Sequence, residues 1–345
     1  MSGIPGVAID IHTHVVPGSF PSYKGTRGAH QWPSMAPAQP CHCHVMINGA
    51  VYRTVPDSCW LPAQRLPEMD ASGITRQILS PMPELLSYWL PLEDAQVLLR
   101  HVNEQIAGMI AQQPARFGGL GGVPLQDVDT AIGELEFIMR ELGLAGVEIG
   151  THVNGVSIGA PQFEPFFNAA RDLGASIFVH AIHPAGRDRL IGNGLEQVVA
   201  FPGDVGLAIA SMITGGMLDR VPGLRIAFSH GGGAFAIMLP RLEHGWKTSP
   251  ALKNTLPRSP RSYARELYYD SLVYDADTLR HLVHTFGADR LCLGTDFPFQ
   301  IRERNPLGVA RECGFDEFTV RQLFEGNARR FLALPEAGTA GGMRD

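Results

Sequence analysis

Basic residues are in deficit in this 345-residue chain, with 28 Lys and Arg against 34 Asp and Glu, and they form no run. A net charge of −6 without a basic stripe argues against nucleic acid as a partner. Cysteine is scarce and odd in number, five in all, so a disulfide framework is not expected and reduced thiols are the default. No basic region followed by an apolar stretch opens the sequence, and no segment approaches the roughly 20 apolar residues that span a bilayer. No membrane partner is expected, and the protein is read as cytoplasmic. Hydrophobic residues at 45% and charged residues at 18% are ordinary for a globular protein with a large core.

What is present is a rhythm of short apolar runs, most followed by a stretch of helical periodicity. Eight are found, at 7–12, 76–81, 117–123, 146–150, 176–180, 225–230, 266–272 and 290–296. Runs about 40 residues apart on average suggest βα units closing a parallel barrel, which can form one domain at this length. Helices are expected over 91–113, with Leu98, Val102, Ile106 and Ile110 on one face, and over 130–142, ended by Gly143. The fold class is therefore α/β, a (β/α)8 barrel over residues 1–335, with a loose Gly/Ala-rich tail at 336–345. A Pro-, Gly- and Ser-rich segment at about 17–62 breaks the rhythm. It contains Asn48-Gly49 between apolar residues, the strongest short-range hairpin signal, and is read as a small β insertion after the first strand, over the barrel mouth.

In a parallel barrel, chemistry sits at the C-terminal strand ends. The first run carries Asp10-Ile11-His12-Thr13-His14, and residues two apart on a strand point the same way, so both imidazoles can grip one ion. The fifth run ends in His180, the sixth in His230, followed by Gly231-Gly232-Gly233, and the eighth in Asp296. Four histidines and one aspartate on the same side of a barrel predict a metal site. Neutral imidazoles and a carboxylate suit zinc, with an open position for water whose pKa falls towards neutrality. Spacing leaves open which of the five stays off the metal. Cys41-His42-Cys43-His44 lacks the C-x2-C geometry of structural zinc sites and is read as an extended segment with incidental Cys and His.

His12-x-His14, His180, His230 and Thr295-Asp296-Phe297-Pro298 resemble the amidohydrolase superfamily, whose fold is a distorted (β/α)8 barrel. Further segments narrow the resemblance, among them Leu86-Ser87-Tyr88-Trp89, Gly150-Thr151-His152-Val153-Asn154 and His230-Gly231-Gly232-Gly233-Ala234-Phe235. Together they are similar to the 2-amino-3-carboxymuconate-6-semialdehyde decarboxylase family, from about residue 7 to about 333. The resemblance implies one Zn2+ per subunit held by His12, His14, His180 and Asp296, with His230 as the acid/base beside the metal-bound hydroxide. It implies a small dicarboxylate substrate held by Arg53 and Arg241, and a homodimer in which Arg241 reaches the neighbouring subunit's site. Guanidinium binds a carboxylate through two parallel hydrogen bonds, which suits both positions.

Two positions depart from that family. Ile47 stands where the family often has a lysine, and Gln197 lies in a stretch where tryptophan is expected, so charge and shape in the pocket are expected to differ. Glu148 sits where binuclear members of the superfamily carry a bridging ligand, and is read as a polar residue inside the barrel with a hydrogen-bond partner. His152, His183 and His244 are read as rim or structural residues. The alternatives are a metal-dependent lactone or amide hydrolase, in which oxygen from water stays in the product, and a hydroxybenzoate decarboxylase. A barrel without catalysis would be expected to lose a ligand or His230, and none is lost.

Overall fold

Each of the eight apolar runs becomes a strand in the computed structural model, which describes residues 6–25, 31–192 and 194–335. The barrel strands are Ile9–Val15, Arg76–Pro81, Phe117–Gly119 continued by Gly121–Gly122, Gly146–Gly150, Ser176–His180, Arg225–Phe228, Tyr268–Asp270 and Leu291–Cys292. Every neighbouring pair is parallel, in the order expected for successive βα units. The barrel closes where Ile11 N donates to Leu293 O at 2.9 Å and His14 N to Phe297 O at 2.7 Å. Glycine permits the close approach of the fourth and fifth strands: Gly146 has φ 152, and a Cβ there would lie 1.9 Å from Ser176 O.

Helices cover the outside by their apolar stripes. The helix Leu92–Gln112 buries Leu98, Val102 and Ile106, as its periodicity predicts, together with Leu99 and Met109, while Ile110, the fourth expected residue, packs partly buried against the core. The next, Val128–Arg140, begins two residues earlier than predicted because the Asp127 carboxylate caps it, accepting from Thr130 N at 2.9 Å. A large core fills the space between sheet and helices. A smaller one, with Ile9, Ile11, Ile78, Leu120, Phe178 and Phe331, fills the barrel below its mouth.

The segment after the first strand is a three-stranded antiparallel sheet, Ser34–Pro37, His42–Ile47 and Ala50–Pro56, one strand more than the predicted hairpin. Asn48 (φ 55) and Gly49 (φ 71) form its turn, both with the positive φ that a type I′ hairpin requires. A bulge follows: Val45 pairs with Arg53 but Met46 pairs with Val51, which leaves Tyr52 as the extra residue. A bulge breaks the strict alternation of side chains and re-aims them.

One expectation does not hold. The stretch Glu196–Thr214 is long and apolar enough to cross a membrane by length and composition. Half of that window is buried in the fold, and Asp204 within it is buried and accepts hydrogen bonds from the Thr151 hydroxyl and from Ala185 N, so it serves here as a core helix. The predicted tail at 336–345 lies outside the described residues.

Candidate metal centre and active site

The first strand carries a register shift between Asp10 and Thr13, three residues facing two of the second strand. Ile9 and Ile11 therefore pack in the barrel interior, while His12 and His14 above them face its mouth. His180 ends the fifth strand, and Asp296 follows the short eighth strand, beyond Gly294. That glycine is required: a Cβ would sit 2.7 Å from the Asp270 Cβ and 3.0 Å from the His12 Cβ.

His12, His14, His180 and Asp296 each offer one ligand atom, all within 4.8 Å of one another, and all four residues are buried. The orientation of the imidazoles is set from behind. His12 Nδ1 donates to Asp270 Oδ2 at 2.6 Å, His14 Nδ1 to Pro81 O at 3.0 Å, and His180 Nδ1 to Ala181 O at 2.8 Å. With the proton on Nδ1, each Nε2 presents a lone pair to the centre, the arrangement metal-bound histidines adopt. His12 Nε2 and His14 Nε2 lie 3.1 Å apart, and His14 Nε2 lies 3.2 Å from Asp296 Oδ1, an otherwise unpartnered buried oxygen. Lone pairs converging at these distances call for a cation, so the donor set fits a divalent metal ion.

The electrostatics agree. Burial opposes charge on His12, but the hydrogen bond and charge of Asp270, with Asp296 and Glu148, outweigh it and raise its pKa to about 9. Burial pushes His14 down and His180 well down, which keeps them neutral ligands. Burial alone would raise Asp296; the His14 hydrogen bond and the His12 charge hold it at about 2. A proton on His12 is what this pocket of negative charge attracts when no ion fills it.

Asp270, at the end of the seventh strand, was not among the predicted residues. Its Oδ2 also accepts from His230 N at 2.9 Å, and its Oδ1 from Gly231 N at 2.7 Å and Leu272 N at 3.1 Å. One carboxylate thus fixes both a ligand and the turn that carries His230. His230 stands outside the ligand group, its ring centroid 4.8 Å from that of His180, with Ser229 Oγ 3.1 Å from its Nδ1. Burial lowers its pKa to about 4. His230 and Asp296 both have positive φ, 56 and 64, a conformation that costs about 1–3 kcal/mol and clusters at functional sites.

A cavity of about 320 Å³ opens above the ligands. His180, His230 and Asp296 form its floor, and Arg53, Glu84, Gln197, Tyr274 and Phe299 stand among its walls. The guanidinium carbon of Arg53 lies 4.0 Å from the Phe299 ring centroid, and Arg53 forms no ion pair among the described residues. Gln197 is therefore a wall residue, as expected from its departure from the family pattern. Ile47 is not: it packs partly buried against the core, so its side chain does not replace a pocket lysine directly. Arg241 lies on the helix Phe235–Thr248, exposed, in a shallow groove with Ile237, Met238 and Leu242 and away from the cavity of its own chain.

Glu148 is buried inside the barrel, where its Oε2 accepts from Ser80 Oγ at 2.5 Å, and burial raises its pKa to about 8. It is not in the ligand group, and among the described residues no second such group exists. The Cys41–His44 segment is likewise outside it, with all five cysteines free. His183 stacks on Trp89 with centroids 4.3 Å apart, and His152 Nε2 lies 3.2 Å from His183 O, both away from the cavity walls.

Known proteins resemble this chain in sequence and fold. The amidohydrolase family model matches residues 9–334. A 2-amino-3-carboxymuconate-6-semialdehyde decarboxylase of Dictyostelium discoideum is 37% identical over 328 residues, covering 94% of this chain and 91% of that protein. A gamma-resorcylate decarboxylase of Polaromonas sp. is 28% identical over 274 residues, covering 71% and 82%. The crystal structure of a dihydroxybenzoic acid decarboxylase from Polaromonas sp. JS666, with bound manganese and 2-nitroresorcinol, superposes with a TM-score of 0.76 at 23% identity, covering 96% and 98%. With the family model spanning nearly the whole chain and a relative this similar end to end, the chain belongs to the amidohydrolase superfamily and, within it, to the 2-amino-3-carboxymuconate-6-semialdehyde decarboxylase family.

Proposed function

We propose that the protein is a metal-dependent, non-oxidative decarboxylase of 2-amino-3-carboxymuconate-6-semialdehyde or a close amino- or hydroxy-substituted carboxymuconate semialdehyde. The observation that carries this reading is a separate histidine, His230, beside a complete four-residue ligand set, under a cavity in which Arg53 has no carboxylate ion-pair partner among the described residues. His12, His14, His180 and Asp296 would hold one divalent ion per subunit, zinc in our reading. When bound, such an ion supplies Lewis acidity and lowers the pKa of water.

The chain's own groups do the rest. Arg53 binds one substrate carboxylate through its paired N–H groups and orients the conjugated chain over the floor. His230, kept neutral by burial, takes the proton of the attacking water and returns it to the carbon that bears the leaving carboxylate. That carbon is then saturated; its bond to the carboxylate breaks, the electron pair forms the new double bond, and the added hydroxyl departs. Phe201 and Phe299, which also line the cavity, give the substrate chain an apolar surface to lie against.

A second carboxylate needs a second cation, and among the described residues Arg53 is the one Lys or Arg that lines the cavity. We read Arg241 as the second cation, completing the partner's pocket in a homodimer; its exposure on a helix that also exposes Ile237 (74%) supports that reading. Mixing inactive Arg241→Ala with inactive His230→Ala subunits should restore activity in the hybrid dimers; no recovery refutes the sharing. The free thiols suit a reducing compartment, and we read the protein as cytoplasmic.

Purified protein loaded with zinc or with manganese should release carbon dioxide from the amino- or hydroxy-carboxymuconate semialdehyde, followed by ultraviolet absorbance. Cleavage of a lactone or amide without carbon dioxide would overturn the reading. A dihydroxybenzoate belongs in the same assay, because Gln197 and Val198 rather than a tryptophan form that wall.

A further inference from the structure

One wall of the cavity carries a carboxyl group for which neither ligand set nor acid/base has a use. Glu84 follows the second barrel strand in the turn Pro83–Leu86; it lines the cavity and is only 5% exposed. Its Oε1 accepts a hydrogen bond from the Tyr52 hydroxyl, while its Oε2 is buried with no partner. The Tyr52 contact depends on the bulge in the inserted sheet. Because Tyr52 is the extra residue of that bulge, it and the adjacent Arg53 both reach the barrel mouth, where regular alternation would send them to opposite faces.

A buried acceptor is retained at a cost unless something donates to it. No donor of the chain meets Oε2 among the described residues, and Arg53, the nearby cation on the same wall, is not in ion-pair contact with it. We propose that Glu84, positioned by Tyr52, is a subsite that accepts a hydrogen bond from an N–H or O–H substituent of the bound dicarboxylate and so selects amino- or hydroxy-bearing acids over those without the donor. The division of labour is then chemical: arginine reads the carboxylate, and glutamate reads the substituent beside it. The inference deepens the decarboxylase reading and rests on it for the identity of the pocket, but binding tests it without turnover.

The test uses full-length, metal-loaded protein and a matched set of dead-end ligands, isophthalate and its 2-, 4- and 5-amino derivatives, with dissociation constants from calorimetry. Wild type should bind at least one amino derivative about tenfold or more tightly than isophthalate, as sites built around a donor do. In Glu84→Gln, whose amide matches the carboxylate in shape, that preference should fall to about twofold or less while isophthalate affinity is kept. Tyr52→Phe, which frees Glu84 to turn away, should lose part of it. Equal binding of all four by wild type, failure to bind any, or a preference unchanged in Glu84→Gln overturns the subsite. Carbon dioxide release is scored separately: its absence from every acid tried counts against the decarboxylase reading and leaves the binding preference to judge the subsite.

Discussion

Replacing Asp270 by Asn should weaken metal binding without touching a ligand. Asparagine keeps the shape and an oxygen, which can continue to accept from Gly231 N (2.7 Å) and Leu272 N (3.1 Å). The amide nitrogen then replaces Oδ2 and faces two donors, His12 Nδ1 at 2.6 Å and His230 N at 2.9 Å. His12 can relieve the clash only by moving its proton to Nε2, the atom that points at His14 and Asp296, and so loses its lone pair to the centre. Removing such a supporting carboxylate costs about 10–100-fold in metal affinity, equivalent to about 1.4–2.8 kcal/mol. The bond from His230 N is to a charged group, so its loss takes about 1.5–3 kcal/mol from stability. Competition against a chelator of known affinity reads the first, and a denaturant melt of the metal-free protein reads the second. A dissociation constant within twofold of wild type, in a variant that still folds, would refute the orienting role.

Other outcomes follow from the same geometry. His230→Asn should bind metal as wild type does but lose about 10²–10⁴-fold in kcat, since it removes proton transfer and no ligand; metal content and turnover on one preparation separate the two. Chelation should lower the melting temperature, because an ion at about 100 times its dissociation constant contributes about 2.7 kcal/mol to the folded state, and readdition of zinc or manganese should restore it. Asp275 caps the helix Ala276–Phe286 by accepting from Thr278 N and Oγ1, which lowers its pKa. A folded pKa below the unfolded value means that this stabilisation is present above the unfolded pKa and is lost as pH falls through the folded one; Asp275→Asn, itself a good cap, should show a weaker acid dependence in melts between about pH 5 and about pH 2, from about one unit above ordinary Asp titration to about two units below it, the side to which the folded pKa is lowered.

The site was legible where the sequence marks it twice, by residue type and by place. His180, His230 and Asp296 each follow an apolar run, and the structure sets them at one barrel mouth with His12 and His14. Asp270 obeys the same rule, but the seventh run reads as continuing to residue 272, which hides a strand-ending carboxylate inside an apparent strand; the strand stops at 270 because Asp270 turns to accept from Gly231 and Leu272. Glu84 had no such mark, since it lies in a turn and gains meaning only from Tyr52, 32 residues away. The insertion was legible at Asn48-Gly49, where turn chemistry is local, whereas its third strand, Ser34–Pro37, is held by pairing that no periodicity reveals. Membership of the barrel was clear from the runs, and the placement of Ile47 against the core instead of the cavity was not, because a family position does not carry its side-chain direction with it.

The first and eighth barrel strands meet at the metal centre. Thr295 Oγ1 donates to Asp10 Oδ2 at 2.6 Å across 285 residues, Asp296 N donates to His12 O at 2.9 Å, and the ligands His12 and Asp296 lie on either side of that junction. Closing so long a loop is entropically slow and comes late in folding. During synthesis, the first two ligands emerge long before the last one exists, so the nascent chain has no complete site to load until the eighth strand has docked. The complete four-residue site therefore cannot load before that strand docks, and a chain truncated before it would lack the Asp296 ligand however well its first half folded.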